Sequence, residues 1–298
     1  MSTTASTRRI ATRGSALALW QAEHVAALLA AVAPDVRVEL EIISTEGDRR
    51  TDVPLAVIGG KGVFVKEVQA AVLDGRADIA VHSAKDLPAV TPDGLVIAAV
   101  PERADARDVL VGTRLVDLAP GSTVATGSPR RRAQLADLRP DLRFEELRGN
   151  IDTRLAKADG FDAIVMAKAA LDRLDRRPAV VDAIDTDVMV PQVGQAALAI
   201  ECRSDDAEMV RLLSLLDHPT SRRAVDAERS FLARLGGDCD LPAGAHATVA
   251  EDGLVTLTGV LAATGGEARP MLRFTSVGHD PVELGVAVAD RLLASQET

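Results

Sequence analysis

Aromatic side chains are scarce in this sequence, and their scarcity narrows the range of functions. Only 2% of the 298 residues are aromatic, with one tryptophan and no tyrosine. Proteins that bind single-stranded nucleic acid stack the bases on aromatic side chains, so this class of binder is not expected. The formal net charge of −10 also argues against a nucleic-acid partner, because phosphate backbones attract basic surfaces. A small basic pocket within an acidic protein is compatible with both observations.

Cysteines and long apolar runs are also few. The two cysteines, Cys202 and Cys239, are too few for a disulfide framework, and their spacing matches no zinc motif, so no metal site is predicted. The longest apolar run, residues 25–33, is too short to span a bilayer. Residues 1–9 are polar and lack the apolar core of a signal peptide. We therefore expect a cytoplasmic protein without a membrane partner.

Strand-like and helix-like patterns alternate along the first two-thirds of the chain, and strand-like patterns dominate the tail. Hydrophobic residues make up 47% of the sequence, enough for packed cores, and the length favours two or three domains. The predicted strands are residues 9–12, 36–44, 78–82, 95–100, 122–125, 142–147, 162–167, 196–201, 245–250, 254–262 and 271–276. The predicted helices are residues 16–33, 63–73, 130–138, 151–158, 169–174, 206–216, 220–235 and 281–295.

This order of elements predicts an α/β fold with three domains. Strands that alternate with helices form largely parallel sheets, whereas the strands of the tail follow one another as in a meander. We predict two α/β domains, residues 1–101 with 195–218 and residues 102–194, and a small α+β domain, residues 219–298. The polar residues 101–107 and the stretch 185–194 are the predicted crossings between the two α/β domains.

Four stretches share one construction, in which a strand runs into basic and capping residues and then into a helix. The stretches are residues 12–15, 81–86, 126–132 and 147–154. The predicted helix N-caps are Ser15, Ser83, Ser128 and Asn150. Helix N-termini and arginine both bind anions, and such turns gather at the carboxyl ends of parallel strands. One such stretch is ordinary surface chemistry, but four in an acidic protein predict a pocket for a polyanionic ligand, either phosphate or carboxylate.

The run from Arg130 to Arg132 strengthens this interpretation. Three cations at a helix N-terminus are unfavourable unless an anion compensates them, because the helix dipole places positive charge there. The three cannot share one helix face, so we expect Arg130 and Arg131 to face the anion and Arg132 to face solvent. The sequence contains no Walker lysine motif and no G-x-G-x-x-G turn, so nucleotide phosphate is not the first choice of ligand.

A glycine-rich loop at residues 59–62 (GGKG) precedes the predicted helix 63–73. Such a loop could cradle a phosphate or fold over a pocket as a lid. With three glycines and the single lysine Lys61, a lid is the favoured interpretation.

Residues 234–242 (RLGGDCDLP) place Cys239 in a glycine-rich turn between two aspartates. Nearby negative charge raises the pKa of a thiol and so disfavours the thiolate that a hydrolase nucleophile needs. A cysteine hydrolase would also need a histidine partner, and His246 is the nearest in sequence. A nucleophile, a ligand and a structural thiol all remain open for Cys239 at this point. Cys202, which ends an apolar strand, is predicted to be a packed structural thiol.

Several motifs together resemble the porphobilinogen deaminase family, also called hydroxymethylbilane synthases, over nearly the whole chain. They are IATRGSALALWQ at 10–21, GGKGVFVKE at 59–67, ADIAVHSAKDLP at 77–88, GSPRR at 127–131, LRGNIDTRL at 147–155, VGQ at 193–195 and the Cys239 turn. The resemblance implies two domains like those of periplasmic binding proteins and a third that carries the cysteine. It also implies a deaminating transferase of tetrapyrrole (heme and porphyrin) biosynthesis, monomeric and without nucleic-acid partners.

The implied reaction condenses four porphobilinogen molecules head to tail, each with loss of ammonia. The growing polypyrrole is built on a dipyrromethane cofactor held by a thioether to Cys239, and water releases hydroxymethylbilane. Every pyrrole ring carries an acetate and a propionate, which agrees with a pocket for many carboxylates. A thioether has no charge, so it tolerates the flanking aspartates.

The resemblance also implies roles for individual residues. Asp86 takes the catalytic role, since a carboxylate near the ring N–H can stabilise a pyrrole cation and manage proton transfer. The implied cofactor-binding residues are Cys239, Lys85, Arg130, Arg131, Arg154, Ser128 and Ser83. The implied substrate-binding residues are Arg13, Ser15, Arg148, Arg173, Phe64, Gln195 and Lys61.

Three positions depart from the pattern of the family. Asp238 precedes the cysteine where glycine is common, Val57 replaces a frequent lysine, and Ala196 replaces a frequent glycine.

Two other functions are alternatives to the deaminase. A two-lobed cytosolic anion-binding protein does not explain the third domain, and a cysteine hydrolase does not explain the aspartates around Cys239.

Overall fold

The computed structural model describes residues 6–45, 65–236, 241–262 and 271–296. Two compact units are present: Met1–Arg103 with Ala197–Arg222, here the first unit, and Ala104–Ala196 with Arg223–Thr298, here the second unit. Each unit is described by itself.

The described strands and helices follow the alternation read from the sequence. The strands are β1 (Ser6–Arg13), β2 (Val36–Ile43), β3 (Ile79–Ser83), β4 (Leu95–Ala99), β5 (Asp108–Val111), β6 (Thr123–Ala125), β7 (Arg143–Glu145), β8 (Ala163–Ala167), β9 (Val181–Ile184), β10 (Leu198–Arg203), β11 (Ala243–Val249), β12 (Val255–Ala262) and β13 (Met271–Gly278). The helices are α1 (Ala16–Val32), α2 (Lys66–Leu73), α3 (Pro129–Leu138), α4 (Ile151–Ala156), α5 (Lys168–Arg173), α6 (Ala207–Leu213), α7 (Pro219–Arg234) and α8 (Pro281–Ala294). Every predicted strand overlaps an observed one, but β5 and β9 were not predicted.

The first unit is built on a five-stranded sheet in the order β2-β1-β3-β10-β4. β1 is parallel to β2 and β3, whereas β10 is antiparallel to β3 and β4. Successive side chains of a strand point to opposite faces, so Ile10 packs in the core with Val25 and Leu29 of α1, and Ala11 packs with Val68 of α2. Both faces of the sheet are therefore buried, and the carboxyl ends of β1 and β3 lie at one edge of it.

The second unit contains a sheet with the same arrangement, in the order β7-β6-β8-β5-β9. β6 is parallel to β7 and β8, and β5 is antiparallel to β8 and β9. In each sheet the fourth strand in this order, β10 or β5, is antiparallel to both of its neighbours. Each of these strands follows a predicted crossing of the chain: β5 follows residues 101–107, and β10 follows residues 185–194.

The rest of the second unit is an antiparallel meander, β11-β12-β13, packed with α7 and α8. Phe231 of α7 and Val288 of α8 are fully buried. A side chain at Gly259 of β12 would place its Cβ 2.7 Å from the Phe231 ring and 2.8 Å from Val288, so only glycine lets both helices close on the sheet. This part follows the α+β pattern predicted for the tail.

Candidate functional site

A pocket in the first unit lies at the carboxyl ends of two parallel strands. Arg13 is the last residue of β1, Ser83 is the last residue of β3, and Asp86 ends a 3-10 turn that follows directly. These three side chains line the pocket together with Gln21 of α1 and His82 of β3. Ligands of open α/β sheets bind at this edge, and the sequence analysis had placed Arg13, Ser83 and Asp86 in the site.

The wall of this pocket rests on a buried polar cluster that sequence reasoning missed. His82 Nε2 lies 3.1 Å from Glu201 Oε2, although the ring N–H does not point at that oxygen with hydrogen-bond geometry. Gln69 of α2 donates its amide to both oxygens of Glu201, at 2.9 and 3.2 Å. The register of β3 and β10 brings His82 and Glu201 to one face, so only the sheet pairing could have revealed the cluster.

Ser15 caps α1 as predicted, and its hydroxyl accepts from Ala18 N at 3.3 Å. The prediction for Ser83 is wrong, because the residues after it form a three-residue 3-10 turn and its side chain makes no capping bond. Pro88 disfavours a helical conformation at Leu87, which is extended here. The Ser83 hydroxyl accepts instead from Gln21 Nε2 at 2.8 Å, which ties β3 to α1 at the pocket.

In the second unit the predicted caps of α3 and α4 are confirmed. The Ser128 hydroxyl accepts from Arg131 N at 3.4 Å, and Pro129 occupies the first turn of α3. Asn150 Oδ1 accepts from Thr153 N at 2.8 Å at the start of α4. Because β6, β7 and β8 are parallel, the turns that follow them lie at one edge of this sheet.

The arginines at the start of α3 meet an anion that belongs to the chain itself. Arg130 Nη2 donates to Asp108 Oδ2 at 2.7 Å, and Arg131 donates to Asp108 Oδ1 from Nε at 3.0 Å and from Nη2 at 2.7 Å. Asp108 is fully buried, and the two arginine side chains are 3% and 7% exposed. The sequence led us to expect an external anion here, and the structure shows that Asp108 supplies one from within the chain. Binding of an external carboxylate by the two arginines stays a prediction. Arg132 is exposed, as predicted, with its guanidinium 5.9 Å from the Phe144 ring centroid.

Burial and the neighbouring positive charges shift the pKa of Asp108 in opposite directions. Burial alone would raise the pKa of this carboxyl, but the charges of Arg130 and Arg131 and the bonds from Arg131 and Gln195 outweigh it and hold the pKa far below its usual value. Burial lowers the pKa of Arg130, and Asp108 partly offsets this. Gln195, predicted to bind substrate, is fully buried and donates to Asp108 Oδ1 at 2.9 Å and to Ala106 O at 2.7 Å. Two arginines and one carboxylate leave this cluster with a net positive charge.

The remaining predicted arginines of the second unit have partners within the chain. Arg148 Nε donates to Glu146 at 2.9 Å, and Arg154 Nε donates to Gly149 O at 2.8 Å. Arg173 Nη2 donates to Ala196 O at 2.7 Å, and burial lowers the pKa of Arg173 to about 10. Ala196, the residue in place of a frequent glycine, has a φ of 69°, a conformation that favours glycine.

Of four further predicted site residues, only Lys85 lies within the described residues. Lys85 lies in the 3-10 turn next to Asp86 and is partly buried. Lys61, Phe64 and Cys239 lie outside the described residues. Among the residues that the structure describes, no group of histidine, cysteine and acidic side chains could hold a metal ion. Within the same residues, no helix has the length and apolarity needed to cross a membrane.

Comparison with protein families accounts for nearly the whole chain. Residues 8–211 match the family "Porphobilinogen deaminase, dipyromethane cofactor binding domain", and residues 223–294 match "Porphobilinogen deaminase, C-terminal domain". This chain belongs to the porphobilinogen deaminase family. A porphobilinogen deaminase of Brevibacillus brevis is 48% identical over 291 residues, which cover 96% of this chain and 94% of the relative. One of Roseiflexus sp. is 48% identical over 290 residues, 95% of each.

Membership in the porphobilinogen deaminase family confirms the resemblance read from the motifs. The predicted fold class is also confirmed, since two α/β sheets are followed by a small part with a three-stranded sheet. Among solved structures, the methionine-binding protein MetQ is similar with a TM-score of 0.39 and 14% identity, over 76% of this chain and 94% of that one. A likeness of that size adds nothing to the assignment of the fold.

Proposed function

We propose that this protein condenses four porphobilinogen molecules head to tail on a covalent dipyrromethane cofactor, each with loss of ammonia, and releases hydroxymethylbilane by hydrolysis. Membership in the porphobilinogen deaminase family supports this transferase activity and its cofactor. The observation that carries the proposal is the pocket of the first unit, where Arg13 and Asp86 are brought together at the ends of β1 and β3.

The side chains of this pocket suit a pyrrole with acidic substituents. A pyrrole of this kind presents carboxylates and one ring N–H. Arg13 supplies a guanidinium for a carboxylate, and Asp86 supplies an acceptor for the N–H. The apolar wall of Val65, Val68 and Val81 suits the flat ring. These donor and acceptor types fit both the substrate and the cofactor.

Positive charge develops on the substrate when the bond from its aminomethyl carbon to nitrogen breaks and ammonia leaves. The Asp86 carboxylate stabilises this charge through the ring N–H, because a fixed anion in a pocket interacts more strongly than one in water. When held by Cys239, Lys85, Arg130 and Arg131, the dipyrromethane would supply the nucleophilic ring carbon for the new carbon–carbon bond. The proton lost from that carbon needs a base, and Asp86 can accept it and pass it to water. Arg13 holds a ring carboxylate, which keeps the reacting carbons oriented.

Cys239 is the proposed attachment site, and the structure makes its competitor unsuitable. Cys202 is fully buried in the core of the first unit. Burial raises the pKa of Cys202 to about 11, so almost none of it is the reactive thiolate at neutral pH. The burial of Cys202 therefore supports Cys239, the other cysteine of the sequence, as the attachment site.

Intact-mass spectrometry of the purified protein tests the attachment. We expect wild type to carry an adduct of two pyrrole units, Cys239→Ser to carry none and to be inactive, and the matched variant Cys202→Ser to keep the adduct. An adduct that survives in Cys239→Ser would contradict the attachment site. An unmodified wild type without turnover of porphobilinogen would contradict the activity and favour a two-lobed anion-binding protein.

The finer properties are part of the same proposal. We infer three domains, residues 1–101 with 195–218, 102–194 and 219–298, in a cytoplasmic monomer without nucleic-acid or membrane partners. The net charge of −10 supports the absence of nucleic acid. Roles in cofactor and substrate binding are proposed for the residues assigned from the sequence, with Arg130 and Arg131 acting from a cluster whose net charge is positive. Light scattering after size exclusion would test the monomer.

A further inference from the structure

A buried segment of the second unit, residues 189–196, connects its α/β sheet to its C-terminal meander. We call this segment the connector. Seven of its eight residues are buried, the exception being Gln192. Buried backbone N–H and C=O groups need partners, so the bonds of the connector show what it holds together.

On one side the connector is bonded to α3. Arg130 Nη1 donates to Val190 O at 2.6 Å, and Gln134 Nε2 donates to the same oxygen at 3.0 Å. Val190 N donates in return to Gln134 Oε1 at 2.8 Å. The connector is thereby fixed to the helix whose first turn carries the arginine pair.

On the other side the connector is bonded to the meander and its helix through Glu228. Glu228 lies on α7 and is fully buried. Its Oε2 accepts from Gly194 N at 2.7 Å, and its Oε1 accepts from Ala247 N of β11 at 2.9 Å. A buried carboxylate is unfavourable unless it is hydrogen-bonded, so these two bonds hold α7, β11 and the connector in one fixed arrangement.

β11 also lies directly against the connector and the Arg130 side chain. Ala245 N donates to Pro191 O at 3.1 Å. A Cβ at the neighbouring Gly244 would lie 2.7 Å from Pro191 O and 2.9 Å from Arg130 Cδ. Only a glycine fits at this point, so the start of β11 packs against the Arg130 side chain.

The contacts of Glu228 and Gly244 lie on either side of Cys239 in the sequence. α7 ends at Arg234 and β11 begins at Ala243, and Cys239 lies in the stretch between them. Glu228 therefore joins the helix before the cysteine turn to the strand after it. Ala243 is the fourth residue after Cys239, and four residues of chain span at most about 14 Å. The contacts of β11 with Pro191 and Arg130 thus fix the strand that follows Cys239 in the sequence.

We propose that Glu228 is a positioning residue for cofactor attachment: by bridging Gly194 and Ala247 it fixes α7 and β11, the elements that precede and follow Cys239 in the sequence, and Gly244 lets β11 pack against Arg130. This inference rests on the proposed function, because it takes Cys239 as the attachment site. Glu228 is fully buried and its carboxylate accepts from backbone N–H groups of the connector and β11, so it acts through these elements.

The test uses Glu228→Gln in the full-length protein, with two readouts. The amide side chain keeps the size of Glu228 but offers one acceptor oxygen, so one of the two backbone N–H groups loses its partner. We expect hydrogen exchange at Gly194 or Ala247 to rise about tenfold or more, because a buried hydrogen bond limits local opening. We also expect the fraction of chains with the two-pyrrole adduct to fall severalfold by intact mass.

Gly244→Ala is a second variant that leaves Glu228 intact. Its methyl group would push β11 away from Arg130, and we expect the same loss of adduct. Val288→Ala is the matched control, since it removes buried volume where α8 packs on the same meander, without touching the bridge. We expect Val288→Ala to lower the melting temperature but to keep the adduct.

Each outcome decides one of two claims. Loss of adduct in Glu228→Gln and Gly244→Ala, with the adduct kept in Val288→Ala, supports the positioning role. A full adduct and wild-type exchange in Glu228→Gln would overturn it, as would an equal loss of adduct in Val288→Ala. A wild type without any adduct would instead contradict the proposed function, and the exchange readout would still decide whether Glu228 holds β11.

Discussion

Asp108→Asn is expected to lower the free energy of unfolding of the second unit by about 3–5 kcal/mol, the usual cost of leaving a buried charge without its partner. The Asp108 carboxylate accepts from both Arg130 and Arg131, and all three side chains are buried. Asparagine keeps the shape but loses the charge, so two guanidinium groups would face each other without an anion. The single tryptophan, Trp20, lies in the first unit, so hydrogen exchange at β5 and α3 is the appropriate measurement.

Asp105→Asn is a control of the same chemistry three residues earlier in the chain. Asp105 pairs with Arg107 at 2.7 Å, but the two side chains are 26% and 37% exposed. Exposed ion pairs contribute about 0–1 kcal/mol, so this variant should be much less destabilised. Equal effects of the two substitutions would show that Asp108 is no more than a surface partner of the arginines.

The Asp108 carboxylate also makes the stability of the second unit depend on pH. Burial acts to raise the pKa of Asp108, but the two arginines and Gln195 lower it far below the value of an unfolded aspartate. A group with a depressed folded pKa contributes stability that is fully present above its unfolded pKa, about 3.9. That stability is lost as the pH falls toward the folded pKa. The difference between wild type and Asp108→Asn should therefore shrink below about pH 4.

Local signals in the sequence were sufficient for most elements and for three of the four helix caps. Ser15, Ser128 and Asn150 cap helices because each cap depends only on the next three residues. Ser83 failed because Pro88 prevents a longer helix from forming after it. Local chain chemistry therefore determines these turns, and Pro88, two residues beyond the stretch 81–86, accounts for the exception.

The parts that the sequence did not reveal depend on distant residues. β5 begins with Asp108, a poor strand former, and it is stabilised there by Arg130 and Arg131, more than twenty residues further on. β9 has four residues, of which only Ile184 is buried, so it shows no apolar alternation. Glu228 reads as an ordinary polar helix residue until the fold brings Gly194 and Ala247 to it. Patterns of charge predicted that the arginines need an anion, but the partner could be found only in three dimensions.

Asp86→Asn is expected to reduce kcat about 10²- to 10⁴-fold, the range for loss of a positioned acid–base group. The Asp86 carboxylate stabilises positive charge on the pyrrole ring, and this charge develops only when ammonia begins to leave. Removal of the carboxylate charge should therefore lower kcat more than it raises KM. Asparagine has the same shape and can still bond the ring N–H, so substrate binding at Arg13 should persist. Steady-state rates with porphobilinogen would measure the effect, with intact mass to confirm that the cofactor is retained.

Asp93→Asn is the matched control for this prediction. Asp93 lies in the same unit, seven residues after Asp86, but it is exposed and is not among the residues that line the pocket. A catalytic role for Asp86 requires Asp93→Asn to keep wild-type rates while Asp86→Asn loses them with the cofactor still bound. If Asp86→Asn turned over near the wild-type rate, the carboxylate would serve only the 3-10 turn after β3. Proton transfer would then have to pass to another group of the same pocket wall, such as the imidazole of His82.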